Sequence, residues 1–247
     1  MSAINHIMFK SVGGGLASWY PRWGTGDMIA AFNGIQNAGA DAAHSDTSAT
    51  WAAVAGGLAL AKNSTATGAA LWTDRGLQFD AVKRAMSCAL SLSGLTKGFT
   101  LDVFGYCATS WGIMATLSQS TTQITEVMPY GDNIGAQINL HRTSNDLYAT
   151  YCHQTAPSTT GICLTCTSGG DVVIYCDAQP VVTAQRGTEV FDKIKTATLL
   201  TVGGYQTTSD YMPNGSALYG LTVYADALTP QEVASLYTAN VTHYLAA

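Results

Sequence analysis

The chain has 247 residues, of which 47% are hydrophobic and only 11% charged, and its formal net charge is −5. This balance excludes an intrinsically disordered chain and leaves enough apolar side chains to bury a sizeable core. The acidic net charge gives no electrostatic footprint for nucleic acid, and no apolar run approaches the roughly 20 residues that a membrane-spanning helix needs. We therefore expect no nucleic-acid partner and no membrane partner.

Residues 1–26 have no hydrophobic period and are predicted to form an extended N-terminal arm. The arm contains Gly13 to Gly15 and the aromatic cluster Trp19 to Trp23. Two interpretations stand side by side: the arm packs its rings on the body, or it anchors this chain to a neighbouring subunit. Met1 to Lys10 lack the charged start and apolar run of a Sec signal, so we expect synthesis in a cytoplasm.

The rest of the chain contains a series of short segments with alternating apolar and polar residues, separated by Gly, Asn, Asp, Ser or Pro. Such spacing predicts an all-β sandwich or barrel. The predicted strands are Gly76–Asp80, Phe99–Tyr106, Gly112–Leu117, Gln123–Met128, Ile134–Leu140, Asp146–Cys152, Gly161–Thr167, Asp171–Ala178, Leu199–Gly203 and Leu218–Ala225.

Two segments have a helical composition. Thr229-Pro230-Gln231-Glu232 predicts a capping box, in which the threonine and the glutamate satisfy donors at a helix start, and the helix should run to about Asn240. Residues Ala52 to Ala61 are compatible with a short helix, although they contain two glycines and no cap.

The segment Leu218–Val233, LYGLTVYADALTPQEV, resembles the end of laminin-G-like and concanavalin-like lectin/glucanase domains, where a final strand leads into a short capped helix. Asp171–Pro180, Leu200–Gly204 and the block from Asp27 to Gly39 resemble other parts of such domains in phage-associated and bacterial surface proteins. The resemblance implies one domain over residues 27–247: an antiparallel β-sandwich of the jelly-roll type with a short C-terminal helix.

The enzymes of that superfamily carry two glutamates on one strand, because retaining glycoside hydrolysis needs two carboxyl groups about 5 Å apart. Here Glu126, Glu189 and Glu232 are each isolated in sequence. The five histidines show no metal-ligand spacing, and there is no Gly-x-Ser-x-Gly elbow or phosphate-binding loop. We therefore expect no catalytic residues and no enzymatic activity, with a divergent glycoside hydrolase as the alternative.

Sugar sites on β-sandwiches combine aromatic faces with polar side chains in loops. Residues of these types in or beside predicted turns form the candidate carbohydrate-binding set: Tyr106, Trp111, Tyr130, Asp132, Asn133, Tyr205, Asp210, Tyr211 and Asn214. The alternative for each ring is ordinary packing of the sandwich. No cofactor is expected; calcium is an option that the resemblance implies, with Asp132, Asp171 and Asp210 as conceivable but unassigned ligands.

The six cysteines are predicted to be mainly buried free thiols, with disulfides and then a zinc site as alternatives. The pair Cys163-x-x-Cys166, with His153 and Cys176 nearby, suggests zinc. Positions three apart in a strand point to opposite faces, however, so the pair should chelate poorly.

The first functional hypothesis is a non-catalytic, lectin-like phage virion protein, in a capsid decoration, tail or fibre, that binds glycans on host surfaces. Its arm would hold it to other virion or surface subunits, and an oligomer is expected. The second hypothesis is a purely structural virion or surface subunit that mediates protein contacts. The cell surface and secretion are alternative locations.

Overall fold

The computed structural model describes residues 20–22, 25–35, 49–64, 66–80, 84–109, 112, 114–120, 122–130, 133–137, 140–141, 147–148, 158–204, 212 and 214–245. For residues 128–130, 133–137, 140–141 and 147–148 the description covers the backbone alone. The described chain is mostly β-strand, with two helices, and forms a two-sheet antiparallel sandwich that confirms the predicted fold class.

The elements follow in chain order. The strands of the first half are β1 (Met28–Asn33), β2 (Thr50–Ala52), β3 (Ala59–Lys62), β4 (Leu77–Gln78), β5 (Met86–Ala89), β6 (Gly98–Cys107), β7 (Ala115–Gln119) and β8 (Thr122–Tyr130). The remaining elements are β9 (Asn133–Gln137), β10 (Leu140–His141), β11 (Leu147–Tyr148), β12 (Ser158–Thr167), β13 (Asp171–Cys176), β14 (Gln179–Gln185), α1 (Thr188–Lys195), β15 (Leu199–Val202), β16 (Ala217–Tyr224) and α2 (Pro230–Leu245).

Two seven-stranded sheets face each other. Sheet A has the order β1-β16-β6-β12-β13-β14, with β4 also paired to β16, and sheet B has the order β2-β3-β5-β15-β7-β8-β9. The closing strand β16 is therefore interior to sheet A, between β1 and β6, although it is last in sequence. All described strand pairs are antiparallel, which agrees with the short turns between strands.

The main core lies between the sheets and is built from alternate residues of each strand. In sheet A, Leu101 and Val103 of β6 lie beside Ile162 and Leu164 of β12, and all four are fully buried. Sheet B contributes residues such as Leu117 and Leu200, which pair across β7 and β15. The period-2 pattern of the sequence thus identified the inward face of the strands.

The outer face of sheet A is also buried, because α2 lies on it. Val233, Leu236 and Tyr244 of α2 pack with rings such as Phe104 and Tyr224 of the sheet. The capping box is confirmed: the Thr229 backbone N–H donates to Glu232 Oε2 at 2.8 Å, and the Glu232 N–H donates to Thr229 Oγ1 at 3.3 Å. The helix continues to Leu245 instead of ending near Asn240, because its second half still has an apolar sheet to cover.

Residues Ala52 to Ala61 do not form a helix. They belong to the β2–β3 hairpin, in which Trp51 lies opposite Leu60, and Gly56 and Gly57 have φ values of 88° and 69° in the turn. Such left-handed backbone conformations end any helix, and glycine adopts them without strain. The helical interpretation was therefore wrong, and the two glycines that counted against it in the sequence form the turn.

Helix α1 was not predicted. It has only eight residues, its N-cap is Gly187 without a side-chain cap, and Val190, Phe191 and Ile194 pack into the core. Without a capping residue, the sequence offered only this short apolar stripe as a signal. No helix of the described part of the chain is long and apolar enough to cross a membrane.

The described end of the arm, Tyr20 to Arg22, packs on the body of the same chain. The Tyr20 hydroxyl lies 3.2 Å from that of Tyr244, and Arg22 bonds Glu232 and Asp226, each at 2.7 Å. Burial alone would raise the pKa of Glu232, but the hydrogen bonds from Arg22 and Thr229 outweigh it and hold the pKa below its ordinary value. This carboxylate therefore stabilises the fold at neutral pH, and its contribution is lost as the pH falls through the lowered pKa.

The five described cysteines are buried free thiols, and Cys152 lies outside the described residues. Cys163 lies on the outer face of sheet A, whereas Cys166 faces the core between the sheets, as their spacing predicted. Burial raises the pKa of Cys88 to about 11 and that of Cys107 and Cys166 to about 12, while the pKa of Cys163 lies well above its ordinary value.

We expect these thiols to be unreactive in the folded protein, because the thiolate is the reacting species and burial suppresses it. At pH 8, Ellman's reagent should label no thiol other than Cys152 in the native chain. All six cysteines should react once the chain is unfolded in guanidinium chloride. Rapid labelling of two or more thiols per native chain would contradict the described burial.

Candidate functional site

The structure describes the side chains of only two of the predicted sugar-binding residues, Tyr106 and Asn214. It gives the backbone alone for Tyr130 and Asn133, which pair with each other where β8 meets β9, in sheet B. The other five predicted residues lie outside the described part of the chain: Trp111, Asp132, Tyr205, Asp210 and Tyr211.

Tyr106 and Asn214 lie at the same end of sheet A. Tyr106, near the end of β6, pairs with Ala217 at the start of β16, and Asn214 belongs to the exposed turn just before that strand. The Ala108 N–H donates to Ser216 Oγ at 3.0 Å, which ties the end of β6 to this turn. The antiparallel pairing of β6 with β16 therefore brings together two predicted residues that are 108 positions apart in sequence.

Beside Tyr106, the outer face of sheet A carries a group of aromatic rings centred on Phe104. The Phe104 ring centroid is 6.2 Å from that of Tyr219, 6.1 Å from that of Tyr237 and 5.8 Å from that of Tyr244. Tyr106 packs against this group and stays half-buried. The buried rings hold Tyr106 and Tyr219 in fixed positions on the sheet.

A tight turn before β4 adds charged groups at this end of the sheet. The turn spans Thr73 to Gly76 and places Asp74 and Arg75 at its tip. Burial raises the pKa of the Tyr219 hydroxyl, and the Arg75 guanidinium beside it opposes part of that rise. We call the resulting surface the Tyr106 patch and define it as Asp74, Arg75, Tyr106, Asn214 and Tyr219.

Sequence reasoning missed Asp74, Arg75 and Tyr219 as members of this patch. Tyr219 alternates with core residues in β16, a pattern that favours ordinary packing of the sheet. In the structure it is only 8% exposed. Asp74 and Arg75 lie in the segment Thr-Asp-Arg-Gly, residues 73–76, whose composition is typical of a turn. That turn could have drawn attention to them, but not to the distant tyrosines they approach.

A second polar group lies on the outer face of sheet A, but α2 buries it. Asp102 is only 4% exposed, and its Oδ2 accepts a 3.1 Å hydrogen bond from Asn240 of α2. Burial raises the pKa of Asp102 to about 7, and the Asn240 hydrogen bond opposes part of the rise. Because α2 covers Asp102, its carboxyl group is inaccessible to an external ligand. Its effect is therefore on the stability of the fold.

The three glutamates lie on three different elements: Glu126 on β8, Glu189 on α1 and Glu232 on α2. Among the described residues, no group of three His, Cys, Asp or Glu side chains is placed to hold a metal ion. Asp171, one conceivable calcium ligand, accepts hydrogen bonds from Thr167 and Gln185. The other two, Asp132 and Asp210, lie outside the described residues.

No protein-family model matches this sequence, and a search of curated proteins finds no match. Solved structures are similar in fold. The Trypanosoma rangeli sialidase is 14% identical with a TM-score of 0.57, over 86% of this chain and 33% of the sialidase chain. The receptor-binding domain of botulinum neurotoxin D is 9% identical with a TM-score of 0.63, over 87% of this chain and 53% of that one.

The present chain thus spans about a third of the sialidase and about half of the toxin domain chain. At these identities, the likeness shows the fold alone: a two-sheet β-sandwich that forms part of a longer chain in each of these structures.

Proposed function

We propose that this chain is a non-catalytic carbohydrate-binding module with the concanavalin-like, laminin-G-like fold, and that it binds glycans through the Tyr106 patch. The observation that carries the proposal is the arrangement of this patch at one end of sheet A. A half-buried tyrosine, an exposed asparagine and a charged turn lie together there at one end of the sheet. Sugar sites need such a combination, because pyranose rings have an apolar face and hydroxyl edges.

The similar structures support this proposal. They include sialidases, one of them in complex with sialic acid, and a toxin domain described as receptor-binding. A sandwich of this type supplies a stable platform whose edge residues vary without loss of the core. We further propose that the module acts on a virion, with its arm fixed to a neighbouring subunit, because Gly13 to Gly15 and the aromatic cluster Trp19 to Trp23 suit an anchoring segment.

Binding to a glycan array, followed by calorimetry with the strongest ligand, tests the proposal. Replacing Tyr106 by alanine should weaken binding about tenfold, which corresponds to the loss of one ring face from the sugar. The control is Val181→Ala, because Val181 is exposed on β14, three strands away from β6. Absence of any glycan ligand, or equal loss in both variants, would contradict the proposal, and release of reducing sugar would show a hydrolase instead.

A structural subunit is the second candidate, and β14 favours it. This strand ends sheet A among the described residues, and Gln179–Gln185 are half-buried or exposed along their length. Val181 is 40% exposed there, and exposed edge strands pair readily with other chains. Light scattering at high concentration separates the candidates, because an assembly subunit should form oligomers and a clean monomer would argue against it.

A further inference from the structure

The turn that carries Arg75 is held rigidly. The Thr73 Oγ1 accepts hydrogen bonds from the backbone N–H groups of Arg75, at 3.2 Å, and Gly76, at 3.1 Å. The Thr73 N–H in turn donates to the Gly76 carbonyl at 2.9 Å. Three hydrogen bonds across four residues fix the backbone on both sides of Arg75.

The same turn is packed closely against sheet A. The Gly34 N–H donates to the Tyr219 carbonyl at 2.7 Å, and a Cβ at Gly34 would meet the carbonyl oxygens of Arg75 and Tyr219. Only glycine fits at position 34, because the backbones of Arg75 and Tyr219 both pack against it. The backbone of Arg75 therefore lies close to that of Tyr219. Arg75 is therefore presented at a defined position in the Tyr106 patch.

Arg75 differs from Arg22 and Arg84 in that it has no carboxylate partner among the described residues. Arg22 is paired with Asp226 and Glu232, and Arg84 with Asp80. Among the described residues, Arg75 forms no ion pair, even with its neighbour Asp74, and its guanidinium lies beside the Tyr219 hydroxyl. A half-buried guanidinium that no described carboxylate neutralises favours an anionic group in its surroundings.

We propose that the Tyr106 patch selects glycans that carry a carboxylate, with Arg75 binding the carboxylate and Tyr106 packing on the sugar ring. The inference rests on the proposed glycan-binding function and names the class of its ligand. A guanidinium has a planar fork of N–H donors that matches a carboxylate with two parallel hydrogen bonds. Sialic acids and uronic acids both present such a group on a sugar ring. Asp74, at the same tip, limits how strongly the site attracts anions.

The test compares matched pairs of ligands by calorimetry. Sialyllactose is measured against lactose, and an oligogalacturonate against the same oligosaccharide with its carboxylates reduced to alcohols. We expect the acidic member of at least one pair to bind about tenfold tighter than its neutral counterpart. The two pairs distinguish sialic from uronic acids as the source of the carboxylate, and added salt should weaken only the acidic ligands.

Three variants assign the preference. Arg75→Gln should bring the ratio of acidic to neutral affinity to about one, while Arg75→Lys, which keeps the charge but not the fork, should retain part of it. Asp74→Asn should raise the affinity for acidic ligands about twofold, because it removes a nearby negative charge. Thermal melting of each variant checks that it is folded. If an Arg75 variant does not fold, Asp74→Asn still tests the inference.

Equal wild-type affinity for both members of each pair would overturn the inference, as would an unchanged ratio in Arg75→Gln. Neutral glycan binding that Tyr106→Ala weakens, without any preference for acids, overturns this inference and leaves the proposed function standing. A wild-type chain that binds no glycan at all overturns the proposed function itself.

Discussion

Asp102→Asn should stabilise the protein at pH 8 and have a much smaller effect at pH 5. Asp102 lies on β6 under α2, where its pKa is about 7 compared with 3.8 for an exposed aspartate. Because the folded-state pKa is raised, the protonated form contributes stability that is fully present below the unfolded pKa. That contribution is lost as the pH rises through about 7, where the folded chain must hold a buried charge.

The groups that face Asp102 do not neutralise this charge. Cys163 of β12 and Thr222 of β16 lie directly opposite it, and Tyr20, Tyr224 and Tyr244 interact with it electrostatically. All of these are neutral near pH 7, since burial raises the pKa of each titratable one. The ionised carboxylate is therefore stabilised chiefly by Asn240, and ionisation opposes the docking of α2.

The size of the effect follows from the roughly two pH units between pH 5 and the folded-state pKa of about 7, each equal to about 1.4 kcal/mol. Between pH 5 and pH 8, the free energy of unfolding of the variant should rise by about 3 kcal/mol relative to that of the wild type. Urea denaturation at both pH values measures it. The matched control is Asp192→Asn on the exposed surface of α1. Its free energy of unfolding should differ from that of the wild type by the same amount at pH 5 and at pH 8. A gain for Asp102→Asn that does not change with pH would contradict the argument.

Phe104→Ala should lower the free energy of unfolding by about 3–5 kcal/mol, the usual cost of removing a buried phenylalanine ring. Phe104 is 1% exposed and its ring contacts those of Tyr219, Tyr237 and Tyr244, so it joins sheet A to the second half of α2. The cavity would lie directly beside the Tyr106 patch. Glycan affinity should therefore fall as well, because Tyr106 and Tyr219 lose the ring that holds them.

Phe104→Leu serves as the matched variant, since it keeps an apolar side chain and should cost only about 1–2 kcal/mol. Denaturant unfolding gives the stabilities, and calorimetry well below the melting temperature gives the affinity of the folded fraction. A loss below 1 kcal/mol for Phe104→Ala would mean that α2 is not fixed through this ring. Normal glycan binding by a folded Phe104→Ala chain would show that the Tyr106 patch does not depend on the aromatic group beside it.

Local sequence patterns predicted much of the fold. Alternation identified Phe99–Tyr106 and Gly161–Thr167, which the structure shows as β6 and β12, and a threonine three residues before Glu232 identified the start of α2. The same local geometry separated Cys163 from Cys166 onto opposite faces. Each of these features depends on residues two to four positions apart, and the backbone period of a strand or helix decides them.

The candidate site was predicted in part. Tyr106 and Asn214 were chosen as turn-associated residues of suitable chemistry, and the structure places them at one end of sheet A. Arg75 and Tyr219 were not chosen, because they are 144 positions apart and become neighbours only where the turn before β4 packs on β16. A single sequence carries no signal for such a contact, since nothing in the local pattern fixes which strands lie side by side.

The sequence by itself determined a β-sandwich with a capped C-terminal helix, buried thiols and no recognisable catalytic motif. Only the tertiary structure decided that α2 covers the outer face of sheet A, which buries Asp102 and the Phe104 ring on the side of β6 that faces away from the core. Strand alternation distinguishes the two faces of a sheet but does not say what covers the second one. What covers the second face depends on the strand order β1-β16-β6-β12. Because β16 lies inside the sheet, the helix α2 that follows it packs across the neighbouring strands.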